Sequence, residues 1–351
     1  MKILSVVGTR PNFIKMIPVI LEIEKSNHEH LIIHTGQHYD INMSDIFFKE
    51  MNLKQPDYNL KIGSGSHGYQ TGEVLKKVEK IIIDEEPDFV LVPGDTNSNL
   101  AGALAAVKLH FKIGHIEAGL RSFDKTMPEE INRILIDHIS SILFCPTKFA
   151  IENLINEGIK KGTYLVGDTM FELALMVKEK VMNTKLDIDI PDEFILSTIH
   201  RANNTEEQRI KKIIDELIAL EYRIVLPLHP RTNKILKDLG LYEKATKNLQ
   251  IIDPVGFCEF SKLLTKAKAV ITDSGGVQKE AYWNKKPCVT IRQNTEWVDT
   301  IQEGGNILAE PDEIQEKVKL MLERDIVFDE ELYGYSDTSK RIVSHLENYT
   351  K

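Results

Sequence analysis

The stretch Ala267-Lys268-Ala269-Val270-Ile271-Thr272-Asp273-Ser274-Gly275-Gly276-Val277-Gln278-Lys279-Glu280 reads as a buried parallel strand that turns at once into a helix. Ser274 can act as N-cap, the two glycines let a ligand approach the backbone, and the N–H groups of the first helical turn face any anion placed there. Glu280 falls one to two turns into the helix. There its carboxylate would repel a phosphate but could accept hydrogen bonds from vicinal sugar hydroxyls. Together these residues suggest a site for a nucleoside diphosphate and its ribose; an ordinary capped helix after a tight turn fits them as well.

Working outward, the same alternation recurs along the chain. Short β-branched runs predict strands at residues 3–7, 31–34, 89–92, 113–116, 142–144 and 164–166, separated by helical patterns such as 12–25, 69–85, 99–109 and 129–138. The second half repeats the theme with strands at 194–199, 224–228, 249–252, 269–272 and 288–291. This is the βαβ signature of parallel sheets covered on both faces. A chain of 351 residues exceeds what one core usually supports. The expected fold is therefore α/β, with two Rossmann-like doubly wound domains facing across a cleft: residues 1–168 and 169–335. The polar stretch 183–192 is loose enough to connect or to loop out.

Composition narrows the partners. Hydrophobic residues are 42% and charged residues 28%, enough for full cores. A net charge of −9 argues against nucleic acid, whose backbone calls for clustered Lys and Arg. Cys145, Cys258 and Cys288 are odd in number, widely spaced and set in apolar runs, so buried thiols in a reducing compartment are expected rather than a disulfide framework. Neither a signal peptide nor an apolar run of about 18 residues is visible, so a cytoplasmic protein with no membrane partner is expected.

In doubly wound sheets ligands bind beyond the carboxyl ends of the strands. The residues there are chemically useful: Gly8-Thr9-Arg10-Pro11 with Lys15, Thr35-Gly36-Gln37-His38, Pro93-Gly94-Asp95-Thr96, His115-Ile116-Glu117-Ala118-Gly119-Leu120-Arg121, Pro128-Glu129-Glu130-Ile131-Asn132-Arg133, and His200-Arg201-Ala202-Asn203-Asn204. Any one carboxylate could be a cap or a structural ion pair, but so many polar strand ends point to acid/base chemistry. Gly63-Ser64-Gly65-Ser66-His67-Gly68 matches a dinucleotide fingerprint, with Asp84 at about the right distance. It does not follow the first strand, so a glycine loop is expected there instead. No H-E-x-x-H, C-x-x-C or G-x-S-x-G occurs, and no metal or cofactor is expected.

These motifs, together with Asp273-Ser274-Gly275-Gly276, Gln278 and Glu280, resemble the non-hydrolysing UDP-N-acetylglucosamine 2-epimerases in the right order from Gly8 to about Gly305. The resemblance implies a glycosyltransferase-B-like fold whose last helix, residues 336–351, returns to the first domain. It also implies a homodimer that interconverts UDP-N-acetylglucosamine and UDP-N-acetylmannosamine, supplying glycan precursors, by anti elimination of UDP to 2-acetamidoglucal and re-addition. It makes Asp95, Glu117, Glu129 and His200 the catalytic residues. Arg10, Lys15, His200, Ser274, Gly275, Gly276 and Glu280 would bind UDP, and Gln37, Arg201 and His229 a second, activating UDP-N-acetylglucosamine. Thr35-Gly36-Gln37-His38-Tyr39-Asp40 running into Met43-Ser44-Asp45-Ile46-Phe47-Phe48 resembles the branch acting on UDP-2,3-diacetamido-2,3-dideoxyglucuronic acid. That sugar, and a glycosyltransferase of the same fold, remain alternatives.

Overall fold

The computed structural model describes residues 1–36 and 54–349, with Arg10 described by its backbone alone. The chain divides into two units, Met1–Met176 with Glu331–Lys351, and Val177–Glu330.

In the first unit, β1 (Lys2–Val7), β2 (Glu29–His34), β3 (Tyr58–Asn59), β4 (Phe89–Pro93), β5 (Lys112–Ile116), β6 (Ile142–Cys145) and β7 (Thr163–Leu165) form a sheet in the order β3-β2-β1-β4-β5-β6-β7. Every pairing is parallel. Leu4, Val6, Val90, Val92 and Ile113 are fully buried, as central strands covered on both faces must be. The helix Asn97–Lys108 is rich in small residues and packs close: a Cβ on Gly102 would stand 3.1 Å from Val6. That approach brings its polar first turn to the carboxyl edge of the sheet, where the strand order reverses between β1 and β4.

In the second unit, β8 (Ile195–Thr198), β9 (Ile224–Pro227), β10 (Gln250–Ile252), β11 (Ala269–Thr272), β12 (Cys288–Thr290) and β13 (Asn306–Leu308) run parallel in the order β10-β9-β8-β11-β12-β13. Its order reverses between β8 and β11. Both units are Rossmann-like, and in each the reversal opens a place for a ligand beyond the strand ends.

The division falls elsewhere than at residues 168 and 335. The helix Thr169–Met176 stays with the first unit because Asp168 Oδ1 accepts from the N–H groups of Met170 (2.7 Å) and Phe171 (3.1 Å), capping it. Glu172 in that helix accepts from Ser339 N and Oγ, 2.7 Å each, which ties it to the last helix, Thr338–Tyr349. Val166-Gly167-Asp168 has linker composition, yet Asp168 is the cap of a packed helix. Two short strands, β3 and β13, lie outside the runs from which strands are predicted. Cys145 and Cys288 are buried, with burial pushing the Cys288 thiol up to about 12, whereas Cys258 is only half-buried. Among the described residues no helix is long and apolar enough to cross a membrane.

Candidate active site

The first unit assembles its acids around Gly94. After β1, Pro11 sits in the first turn of the helix Arg10–Lys25, where its missing N–H costs nothing. Asn12 on the next position donates to the Pro93 carbonyl at 2.8 Å and accepts from Thr9 Oγ1 at 3.1 Å, joining the β1 and β4 turns. One turn later Lys15 donates to Oε2 of Glu117, and both side chains are largely buried. Gly94, at φ +80°, lies under this pair: a Cβ there would meet Lys15 Nζ at 3.0 Å and Glu117 Oε2 at 3.4 Å. Glu117 itself has φ +69°, a conformation that costs a non-glycine residue about 1 kcal/mol or more. Its N–H and that of Ala118 both donate to the Phe144 carbonyl at 3.1 Å, which holds the turn.

Asp95 accepts from Nη2 (2.5 Å) and Nε (3.2 Å) of Arg133, and Arg133 Nη1 donates to Glu130 at 2.9 Å. Glu130 is 1% exposed and also accepts from Ser122 N, Ser122 Oγ and Phe123 N, all at 2.9 Å. Of the two neighbouring glutamates, then, Glu130 builds the loop while Glu129 is exposed at the start of the helix Pro128–Ile139. Arg133 has no part among the catalytic and binding residues expected from the sequence. The i, i+3 spacing from Glu130 was the signal that it would bridge.

Beneath these turns lies a charged cluster. His115 is fully buried; its Nδ1 is 2.6 Å from Asp137 Oδ1 and its Nε2 3.0 Å from the Gly94 carbonyl. Asp137 Oδ2 accepts from Arg121 Nη1 (2.6 Å) and Gly119 N (3.1 Å), and Arg121 forks onto Glu157 at 2.6 and 2.7 Å. Burial opposes the charge on Asp137, but His115 and Arg121 prevail and hold its carboxyl below its ordinary value. Asp137 carried no sequence signal beyond its place on a helix.

In the second unit the strand-to-helix turn forms as the sequence predicts, with the helix Gly275–Trp283 following β11. Ser274 is its N-cap by backbone geometry, and its side chain makes no capping bond. Nothing stands within 3.4 Å of a Cβ built on Gly276, and the nearest atom is Oε1 of Glu280 at 3.8 Å. On Gly275 a Cβ would stand 2.3 Å from Glu296 Oε1. Asp273 is buried and turns inward: it accepts from His200 N (3.0 and 3.1 Å), Arg201 N (2.9 Å) and Asn204 Nδ2 (3.3 Å). Its Oδ1 also lies 3.3 Å from His200 Nδ1. Asp273 thus fixes the His200 loop, leaving the ring of His200 partly exposed and 5.8 Å, centre to centre, from that of His229. Gln278 carries a second supporting network, donating to the Ser274 carbonyl at 3.2 Å and accepting from Thr295 Oγ1 at 2.7 Å and Asn306 Nδ2 at 3.1 Å.

The structure therefore brings Lys15, Asp95 and Glu117 together in the first unit, with Glu129 exposed on the helix that also carries Arg133. Ser274, Gly275, Gly276 and Glu280 come together in the second, with His200 on the neighbouring strand end. The backbone of Arg10 begins the helix after β1. Arg201 is half-buried and His229 exposed, while Gln37 lies outside the described residues. Residues 63–66 form the approach to the helix His67–Glu85, whose first turn Ser66 caps by accepting from Tyr69 N. Asp84 sits in that helix rather than at a strand end. No cluster of His, Cys, Asp and Glu suited to a metal ion occurs among the described residues.

Known proteins resemble this chain over nearly its whole length. The sequence profile of the family described as UDP-N-acetylglucosamine 2-epimerase matches residues 21–347. A UDP-N-acetylglucosamine 2-epimerase of Methanococcus maripaludis is 49% identical over 92% of both chains. A UDP-2,3-diacetamido-2,3-dideoxy-D-glucuronate 2-epimerase of Pseudomonas aeruginosa is 48% identical over 99% of both. The crystal structure of the Methanocaldococcus jannaschii UDP-GlcNAc 2-epimerase with UDP-GlcNAc and UDP superposes with a TM-score of 0.91 at 43% identity, covering 99% of this chain and 100% of that one.

Proposed function

This chain belongs to the UDP-N-acetylglucosamine 2-epimerase family, a family of isomerases, and from that premise we propose that it interconverts UDP-N-acetylglucosamine and UDP-N-acetylmannosamine. The observation that carries the reading is the likeness to the UDP-GlcNAc-bound epimerase over the whole chain. Incubating the protein with UDP-N-acetylglucosamine alone and following the anomeric signals by proton NMR tests it; a spectrum that never gains a second isomer defeats it.

The roles divide by unit. The N–H groups at the start of Gly275–Trp283 and the Ser274 hydroxyl hold the diphosphate, Glu280 holds the ribose hydroxyls, and His200 hydrogen-bonds or protonates the departing UDP. Asp95, Glu117 and Glu129 are the acids that move the proton at C2. Elimination breaks the C2–H bond and the C1–O bond to UDP, giving 2-acetamidoglucal. Re-addition returns UDP to C1 and places a proton on the opposite face of C2. Two faces require two differently placed acid/base groups. The Lys15 ammonium pairs with Glu117 and holds its carboxyl group in place.

The Pseudomonas relative supports a second reading, in which the sugar is the diacetamido-uronic acid. Faster epimerisation of that purified UDP-sugar than of UDP-N-acetylglucosamine would establish it. An activating second UDP-N-acetylglucosamine would use Arg201 and His229, and a hyperbolic rather than sigmoidal rate curve would exclude it. A cytoplasmic homodimer belongs to the same proposal on family grounds; light scattering of the purified protein and fractionation of its native cells test these two points.

A further inference from the structure

We propose that His115 is a positioning residue: held as an imidazolium on Asp137, it fastens the Asp95 turn and the Glu117 turn in one register. This rests on reading Asp95 and Glu117 as acids of the reaction. The charge state follows from the hydrogen-bond partners. Nε2 faces the Gly94 carbonyl, which can only accept, so Nε2 carries a hydrogen. Nδ1 faces Asp137, whose other oxygen takes Arg121 and Gly119 N, so that carboxylate is ionised and Nδ1 also carries a hydrogen. A neutral imidazole has one N–H and would have to release one of the two acceptors.

The groups around the ring account for that charge. The helix Pro128–Ile139 supplies Asp137, the turn after Gly119 supplies Arg121, and Glu157 at the end of the helix Lys148–Asn156 pairs with Arg121. On the sheet, the register neighbours of His115 are Val92 and Leu143, which carry no charge. Two cations and two carboxylates thus balance, and all of them but Glu157 are buried.

The geometry connects this cluster to the acids through backbone alone. The Gly94 carbonyl accepts from the ring, Gly94 N donates to the Ile116 carbonyl at 2.9 Å, and Asp95 is the next residue. Gly119 N donates to Asp137, closing the turn that holds Glu117 at positive φ. A single ion pair therefore sets both turns, and neither His115 nor Asp137 reaches the reacting atoms itself.

The test uses the full-length enzyme. His115→Asn places an N–H toward Asp137 but not toward Gly94, and His115→Gln reaches Gly94 but forfeits Asp137; both are neutral. The proposal expects kcat to fall about 10-fold or more in each, since small misplacements of acid/base groups slow chemistry steeply, with KM and calorimetric UDP affinity within about 2-fold of wild type. Wild-type kcat in either folded variant overturns it, as does a parallel loss of kcat and UDP affinity that simply tracks melting temperature. Should both variants fail to fold, nitrogen-15 spectra of histidine-labelled wild type decide. The proposal expects one ring with both nitrogens protonated at pH 7, and a neutral tautomer there contradicts it. If wild type shows no turnover, the epimerase reading fails, while the ring signals still judge the ion pair.

Discussion

Glu117 and Glu129 show how far apart two carboxylates of one proposed mechanism can stand in environment. Glu117 is paired with Lys15 and held in a strained turn, whereas Glu129 is exposed at a helix start. Groups so differently placed suit proton transfer at opposite faces of one carbon. Asp95→Asn, Glu117→Gln and Glu129→Gln are each expected to cut turnover by about 10²-fold or more. None should change UDP affinity beyond about 2-fold, because the acids are proposed to act at C2 of the sugar and not on the diphosphate. Steady-state kinetics with calorimetry checks both halves of that statement. Glu280→Ala is expected to do the reverse, weakening UDP by about 1–3 kcal/mol, the usual cost of losing a charged hydrogen bond. Calorimetry giving wild-type affinity for that variant would move the ribose elsewhere. Most of these residues were legible in the sequence because each follows an apolar run at a strand end. What could not be read was the division of labour between neighbours: Glu129 and Glu130 differ only in which way the helix turns them, and Asp273 looks like a ligand group until its acceptors are seen to be filled by the His200 loop.

The elements were legible for the same physical reason. A strand covered on both faces has to be apolar throughout, and Ala269–Thr272 stands where the sequence placed it. Edge strands such as Tyr58–Asn59 escape because they bury too little to impose a pattern. Pairing between β1 and β2 also carries a pH dependence. His30 on β2 is buried against Ser5 on β1, its Nε2 2.8 Å from the hydroxyl. Burial first, and then the nearby Lys54, lowers its pKa from 6.5 to about 4. A depressed histidine is neutral in the fold, while the unfolded chain binds a proton below pH 6.5. Its contribution is therefore complete above that pH and is lost as the pH falls toward 4, by up to about 3 kcal/mol. Melting curves should fall across this window in wild type and fall less in His30→Gln, which keeps a partner for Ser5 without a titrating ring. Equal slopes in the two proteins would count against this assignment.

The first unit is built from two separate segments of chain, and the second from one. Ile342 and Leu346 of the last helix are fully buried and Val343 nearly so, each such side chain stabilising by about 1.5–3 kcal/mol. Their sum approaches the whole stability of a typical domain. A chain ending at Glu330 is therefore expected to lose the cooperative unfolding of its first unit, seen by calorimetry, while UDP still raises the melting temperature of the second. Loss of that UDP response would mean that the nucleotide site is not confined to Val177–Glu330. The reaction itself gives the sharpest test, because elimination and re-addition must leave a solvent-derived hydrogen at C2. With UDP-N-acetylglucosamine in heavy water, and no nicotinamide or metal added, the account predicts UDP-N-acetylmannosamine carrying deuterium at C2. Product that retains protium there throughout turnover would contradict it.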